Sequence, residues 1–272
     1  MKMRLFLLSV ISVMMVLFVS CEPNTPTQST KKTSGVFSVE EGKQVTFSPG
    51  NLQYHPANNK WRFAENQTDY RGHANQNISA TYNGWLDLFG WGTGNNPTNS
   101  SGDDNDYQTF VDWGTNQIGS DAPNTWRTLT KAEWEYLLNT RANASSLKGV
   151  AQVNGVNGLI LLPDNWVCPA SITFKSGFYS EKGERYYAAY QTFTTSEWSK
   201  LESAGAVFLP AAGDRYLHLM SAGEDYSCGD YWSATEYDSD EAYYLAFRSD
   251  KARMTDHSRS IGCSVRLVKD LQ

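Results

Sequence analysis

The groups able to do chemistry in this sequence are few and widely spaced. Four cysteines and four histidines are scattered over 272 residues, whereas a His/Cys metal cage needs its ligands at short, recurrent spacings. Cys168, Cys228 and Cys263 stand far apart. Cys263 lies in Ile261-Gly-Cys-Ser-Val-Arg-Leu267, where Ile261, Cys263, Val265 and Leu267 share one face by period two; a thiol in that phase reads as a small buried hydrophobe. His55, His73, His218 and His257 lack a Cys or acidic partner at ligand spacing. Asp103-Asp104-Asn105-Asp106 offers the oxygens that calcium takes, without the alternation and glycine of an EF-hand loop, and reads as an acidic surface turn. Glu236, Asp238, Asp240 and Glu241 form a second acidic group. Paired carboxylates can hydrolyse a glycoside when one sits in an apolar pocket facing the other, but Asp238 and Asp240 read as solvated turn residues. Neither a GxxxxGK[ST] or GxGxxG phosphate loop nor HExxH occurs. The expectation is a non-enzyme with no catalytic residue, metal ligand or cofactor.

Binding chemistry is better represented. Between Trp232 and Arg259 the alternation assigns Tyr243, Leu245 and Phe247 to a core. Outward or loop positions then carry Tyr237, Asp238, Asp240, Tyr244, Arg248, Arg253, Asp256, His257 and Arg259. Tyrosine and arginine combine large contact area with polar tips, the composition of binding hot spots. These nine residues are the predicted ligand-binding set.

The elements that must position them read as a mixture of strands and helices. Phe37 and Val39, then Val45 and Phe47, alternate with polar residues around a Glu40–Lys43 turn, and Asn51–Tyr54 and Lys60–Ala64 flank a second hairpin turn. Residues 66–125 are rich in Asn, Gly, Asp and Thr yet studded with Trp85, Leu86, Leu88, Phe89, Trp91, Phe110 and Trp113, so this irregular segment is anchored to a core by its rings. Leu129, Thr130, Glu133 and Trp134 form a capping box with a hydrophobic staple, and Phe193, Thr194, Glu197 and Trp198 repeat it at the same offsets. Each helix is followed by a glycine, four apolar residues and a proline, Gly158–Pro163 and Gly205–Pro210. Gly205 is placed to close the second helix in a left-handed conformation. Near the end come a strand from Tyr231, an acidic turn, a second strand, a polar loop over Ser249–Ser260 and a final strand, Ile261–Lys269. Strong first and last strands predict a sheet that joins the termini.

The front of the chain carries an address. Lys2 and Arg4 precede an apolar run, Leu5–Val19, too short for a spanning helix and typical of a signal peptide. Phe18-Val19-Ser20-Cys21 resembles a bacterial lipobox, with phenylalanine at the position where leucine is usual, and makes Cys21 the expected lipid attachment site. Residues 1–20 then form the signal peptide and 21–34, rich in Pro, Thr, Ser and Asn, a flexible tether. Residues 35–272 form the folded domain. A formal net charge of -6 offers no footprint for nucleic acid.

Trp126-Arg127-Thr-Leu-Thr-Lys-Ala-Glu-Trp-Glu-Tyr136 resembles the WRLPTEAEWEYA helix of the formylglycine-generating enzyme (sulfatase-modifying factor) family. Phe208-Leu-Pro-Ala-Ala-Gly213, Tyr231-Trp-Ser-Ala-Thr-Glu236 and Cys263-Ser-Val-Arg-Leu-Val-Lys-Asp270 are similar to the Fibrobacter succinogenes major paralogous domain of envelope lipoproteins. The resemblance spans roughly Gly35 to Asp270. It implies an α+β, C-type lectin-like fold with antiparallel sheets joining the termini, two α-helices and a long loop-rich region. The family's paired copper-binding cysteines lie close together near the C-terminus. Cys228 and Cys263 do not match that spacing, and the Trp-Asn-Asp of calcium lectins is missing, while the one Glu-Pro-Asn (Glu22–Asn24) falls in the tether. The reading is therefore a non-catalytic ligand-binding or adhesion lipoprotein of the bacterial cell envelope, at the outer membrane, held to the membrane by its N-terminal lipid and binding a protein or glycan. The alternatives are a carbohydrate-binding accessory of a glycan uptake system and a formylglycine-generating-type enzyme.

If Cys21 is acylated, metabolic labelling with a palmitate analogue marks the wild-type protein and is lost in Cys21→Ala; labelling that persists in the variant refutes the lipid anchor.

Overall fold

One short strand near the C-terminus closes the chain on its beginning. In the computed structural model, which describes residues 35–179, 187–220 and 227–271, β1 (Phe37–Glu40) and β2 (Lys43–Phe47) form a hairpin. Their alternation buries Phe37, Val39, Val45 and Phe47. The last strand, Val268–Asp270, pairs antiparallel with β2, Val268 opposite Phe47. The expected signal peptide, Cys21 and the tether lie outside the described residues.

A second hairpin, β3 (Leu52–His55) with β4 (Lys60–Phe63), turns through Asn59 at φ 47, a left-handed position that asparagine tolerates. The loop-rich stretch that follows is pinned as its composition predicts: Leu86, Phe89, Trp91 and Trp113 are buried in one apolar cluster with Leu52, Trp61, Trp232 and Cys263. Asp87 organises its middle, accepting from the Arg71 amide at 2.8 Å and Asn75 Nδ2 at 2.9 Å; burial nevertheless pushes its carboxyl up to about 6.

Helix α1 (Lys131–Glu135) begins at a complete capping box, the Thr130 hydroxyl accepting from the Glu133 amide while the Glu133 carboxylate accepts from the Thr130 amide. It widens into a π-type turn over Tyr136–Thr140. β5 (Lys148–Val153) and β6 (Val156–Leu161) follow as a hairpin. A single turn α2 (Tyr187–Tyr190), a two-residue β7 (Thr192–Phe193) and the capped α3 (Thr195–Ser203) lead to β8 (Val207–Pro210), with Gly205 at φ +96 behind the helix. The two Gly-to-Pro segments that echo one another in sequence pair antiparallel, Gly158 opposite Pro210, in the sheet β7-β5-β6-β8.

After the small hairpin β9 (Arg215–Tyr216) and β10 (Leu219–Met220), the chain builds a meander of β11 (Gly229–Glu236), β12 (Glu241–Arg248) and β13 (Lys251–Ser258), and ends in β14 (Val268–Asp270). The class is α+β with several antiparallel sheets. Three expectations need correction. The stretch read as a polar loop, Ser249–Ser260, is mostly the full-length strand β13; Ala252 and Met254 carry its period-two signal beneath charged neighbours. The final strand is short, because Ile261–Leu267 runs between loops and bonds them through isolated bridges, Phe89 with Cys263 and Tyr231 with Ser264. The meander also has two covered faces rather than one. Tyr231, Leu245 and Phe247 pack into the core under β1, β2 and α1, while Trp232, Ala242 and Tyr244 pack into the aromatic cluster of the loop region.

Glu133 ties these parts together. Its carboxylate, 5% exposed as a residue, takes Arg127 Nη1 at 2.7 Å and Lys43 Nζ at 2.7 Å, while Arg127 Nη2 reaches Asp270 at 2.6 Å. Burial alone would raise this carboxyl; the bonds from Arg127, Lys43 and Thr130 outweigh it and hold it down to about 2. A depressed acid stabilises the fold above its unfolded pKa and loses that contribution as pH falls through the folded one. Glu133→Gln is therefore expected to cost on the order of 3 kcal/mol at neutral pH, since it leaves a cation under-compensated. The gap to wild type should close as pH falls from about 4.5 to about 2. A denaturation series that shows a constant gap across that window refutes the assignment.

Candidate functional site

The strand register of the meander sorts the predicted binding residues onto two faces. Trp232 lies opposite Tyr244 and Asp230 opposite Ala246; across the other edge of β12, Ala242 faces His257, Tyr244 faces Thr255, Ala246 faces Arg253 and Arg248 faces Lys251. Directly opposed residues share a face. Asp230, Tyr244, Arg248, Lys251, Arg253 and His257 thus project to one side, beyond the edge of the buried Trp232–Ala242 patch.

A cavity of about 320 Å³ opens there, lined by Asp214, Cys228, Asp230, Tyr244, Ala246, Phe247, Arg248, Lys251, Arg253 and His257. Small residues bring its floor together. Gly213 donates to the Cys228 carbonyl at 2.9 Å, setting the bend with Asp214 beside the start of β11. Gly229 lies so close over the Phe247 ring that a Cβ would stand 2.1 Å from it; a side chain there would lift Cys228 and Asp230 off the sheet.

The floor is acidic and the walls are cationic. Asp230 is 7% exposed, and its carboxyl bonds the Cys228 thiol. Burial, then the facing Asp214 carboxyl, push Asp230 up to about 7 against that bond and against Arg248. Asp214 is raised by burial, with His257 and Arg248 opposing. Burial followed by these two acids pushes the Cys228 thiol up to about 12. Cys263, fully buried just behind, is raised well above the ordinary thiol range for the same reasons. The Tyr244 hydroxyl is raised by burial and then by Asp230; its ring lies 5.8 Å from that of His257, whose Nδ1 accepts from the Ser258 amide at 2.8 Å. The side chains of Arg248, Lys251 and Arg253 make no hydrogen bond or ion pair with another described residue.

Four of the nine predicted residues, Tyr244, Arg248, Arg253 and His257, line this cavity. The other five are placed elsewhere. Arg259 is 1% exposed: its guanidinium stacks 4.5 Å from the Trp91 ring, bonds Glu236 Oε2 at 3.2 Å and donates to the carbonyls of Asp238 and Glu241. It holds the meander to the loop region, a role its polarity disguised. Asp238 is a turn residue, accepting from the Asp240 and Glu241 amides at 2.8 Å each. Asp240 accepts from the Arg259 amide through its carbonyl. Tyr237, 50% exposed, lies edge-on to Tyr243. Asp256 faces Tyr243 across the sheet, on the side away from the cavity.

Sequence reasoning missed Asp214, Asp230 and Lys251. The signal for Asp230 was present in Gly229-Asp230-Tyr231-Trp232, a carboxylate set in a run that must be buried; Asp214 gave no signal. The acidic turn at Asp103–Asp106 is structural, its Asp104 carboxylate accepting from Ser258 Oγ at 2.7 Å and the Ser260 amide at 2.9 Å. Among the described residues no group of three or more His, Cys, Asp or Glu side chains is arranged to hold a metal ion.

No protein-family model, no curated protein and no solved structure matches this chain.

The raised Asp230 carboxyl has a signed consequence. Between about pH 4 and pH 7 the unfolded chain gives up this proton while the folded chain keeps it, so stability falls as pH rises across that window. Asp230→Asn, neutral at every pH, is expected to melt higher than wild type at pH 7.5, by more than ~2 °C, and level with it near pH 4. A variant that melts lower at pH 7.5 would mean that the carboxylate is paired in the fold.

Proposed function

We propose that this protein is a non-catalytic ligand-binding module, of lectin-like fold and tethered by lipid to the bacterial cell envelope, that takes its ligand in the cleft floored by Asp230. The observation that carries this reading is an open cavity in which a nine-tenths-buried carboxyl faces another carboxyl, with the side chains of Arg248, Lys251 and Arg253 on the walls and in no ion pair with another described residue. The two carboxyls, raised by burial, cost stability as they stand, and perturbed groups gathered in a cleft mark functional sites.

The chemistry of the cleft favours binding over thiol catalysis. A nucleophilic or metal-binding cysteine works as thiolate, and the surroundings that push Cys228 up to about 12 hold the proton on. The glycan reading depends on open aromatic platforms. Most of the tryptophans are committed to the cores, and the half-buried Trp85 is covered by the Arg62 guanidinium at 3.9 Å. Sugar stacking thus has little surface to use beside the cleft.

A thermal-shift screen of metabolite and oligosaccharide libraries against the full chain tests the reading. Compounds that raise the melting temperature should lose at least about 1 kcal/mol of affinity in Tyr244→Ala and in Arg248→Ala, while Asp106→Asn, on the acidic turn outside the cavity lining, leaves them unchanged. Ligands that ignore the first two substitutions and respond to the third would move the site to the loop region.

A further inference from the structure

The cleft separates its charges, and the separation is informative. The two carboxyls sit at the bottom, on the bend before β9 and on β11. The cations stand along β12 and β13, on the same face. Among the described residues neither carboxyl makes an ion pair, although Arg248 acts on both through space. Both sets line one open cavity of about 320 Å³. That space corresponds to the liquid volume of about ten waters, the size of an amino acid and far below that of a folded chain. A neutral polyol would leave both charge sets uncompensated. A simple anion would satisfy the walls and aggravate the floor.

Resting on the cleft as the binding site, we infer that its ligand is a small zwitterion whose primary ammonium enters between Asp214 and Asp230 and whose carboxylate meets Arg248 and Arg253. Tyr244 supplies the side wall for the carbon chain between them. An ammonium carries three donors on a compact charge, which suits two carboxyls that repel one another. Planar guanidinium groups suit a carboxylate.

Binding of this kind is linked to protons. With Asp230 pushed up to about 7, the empty site holds a proton there below neutrality, and an arriving ammonium must displace it. Affinity should therefore fall as pH drops below about 7 and level off above it. The titratable groups facing Asp230 are Asp214, Cys228, Tyr187, Tyr244 and Cys263. The cations of the walls are Arg248, Lys251, Arg253 and His257.

Glycine, 4-aminobutyrate and 6-aminohexanoate, which place the two charges at increasing span, are titrated into isotope-labelled full-length protein. The readout is the amide shifts of residues 228–232 and 244–257. At least one of the three should saturate these shifts. Its N-acetyl form, lacking the ammonium, and its carboxamide, lacking the carboxylate, should each bind weaker by about tenfold or more. Asp230→Asn and Arg248→Gln should weaken binding similarly, and Asp230→Asn should flatten the pH dependence while melting no lower than wild type. Failure of all three zwitterions to saturate, or binding that survives loss of either charge, overturns the inference. If a neutral sugar instead shifts the same amides, the binding site stands and the ligand class falls. If a zwitterion shifts amides elsewhere and ignores Asp230→Asn, both fall.

Discussion

The fold hangs on one buried carboxylate, Glu133. Its backbone begins α1, its side chain completes the cap on Thr130, and its oxygens receive Arg127 from the preceding turn and Lys43 from the opening hairpin. Arg127 in turn bonds Asp270 on the closing strand, and its backbone exchanges both hydrogen bonds with Val268. The opening hairpin thus meets the helix start on this side chain, and Arg127 carries the link on to the closing strand. Such a node is costly to desolvate and gains only because every lone pair is used. It also explains why a sheet as small as β1-β2-β14 suffices to close the chain: the side-chain network holds β14 where three residues of ladder would fray.

With the ends fixed, the meander β11-β12-β13 is clamped between two cores. One face meets Leu129, Trp134 and the hairpin strands, the other the rings of Trp91, Phe89 and Trp113. Double coverage usually demands apolar residues on both faces. Where the aromatic cluster ends, beyond Trp232 and Tyr244, the same face continues with Asp230, Arg248, Lys251 and Arg253, and the cleft is the space that the loop region leaves uncovered. The site is a consequence of where the second core stops.

How much of this was legible in the sequence depended on how local the signal was. Both capping boxes and their staples were readable because every partner lies within four residues, and the opening hairpins because period two needs only one strand to show itself. The aromatic anchors of residues 66–125 were readable because large rings have no other use in a polar segment. What failed was everything decided by a distant partner. Alternation placed Tyr244 opposite Tyr243 correctly, but could not reveal that both sides of β12 are covered. Arg259, Arg215 and Arg266 are buried to 1% or less, and nothing in their neighbourhoods distinguishes them from surface arginines. Arg266 bonds Gln67 and Asn51 from the other end of the chain through its terminal nitrogens, its Nε finds no partner among the described residues, and burial drags it down to about 10. Asp214 belongs to the cleft only because Gly213 bonds the Cys228 carbonyl.

Two kinds of buried charge therefore coexist here, and comparing them separates structure from function. Arg259, Arg141 and Glu133 are desolvated and then answered: each guanidinium or carboxylate finds carboxylates, carbonyls or cations across a chain crossing. Their burial locks loops together. Asp214 and Asp230 are desolvated and face each other, and among the described residues only the Cys228 thiol bonds one of them and neither forms an ion pair with the cations on the same face. The fold compensates buried charge at several places where segments meet, although the buried Arg215 keeps two guanidinium nitrogens without a partner among the described residues. The segments of the cleft floor are joined by backbone, Gly213 to the Cys228 carbonyl, so the two carboxyls are not needed for that tie. Asparagine at position 230 would fill nearly the same volume without the electrostatic penalty. A carboxyl kept there at a cost to the empty protein makes physical sense when something that is not part of the chain completes the charge balance.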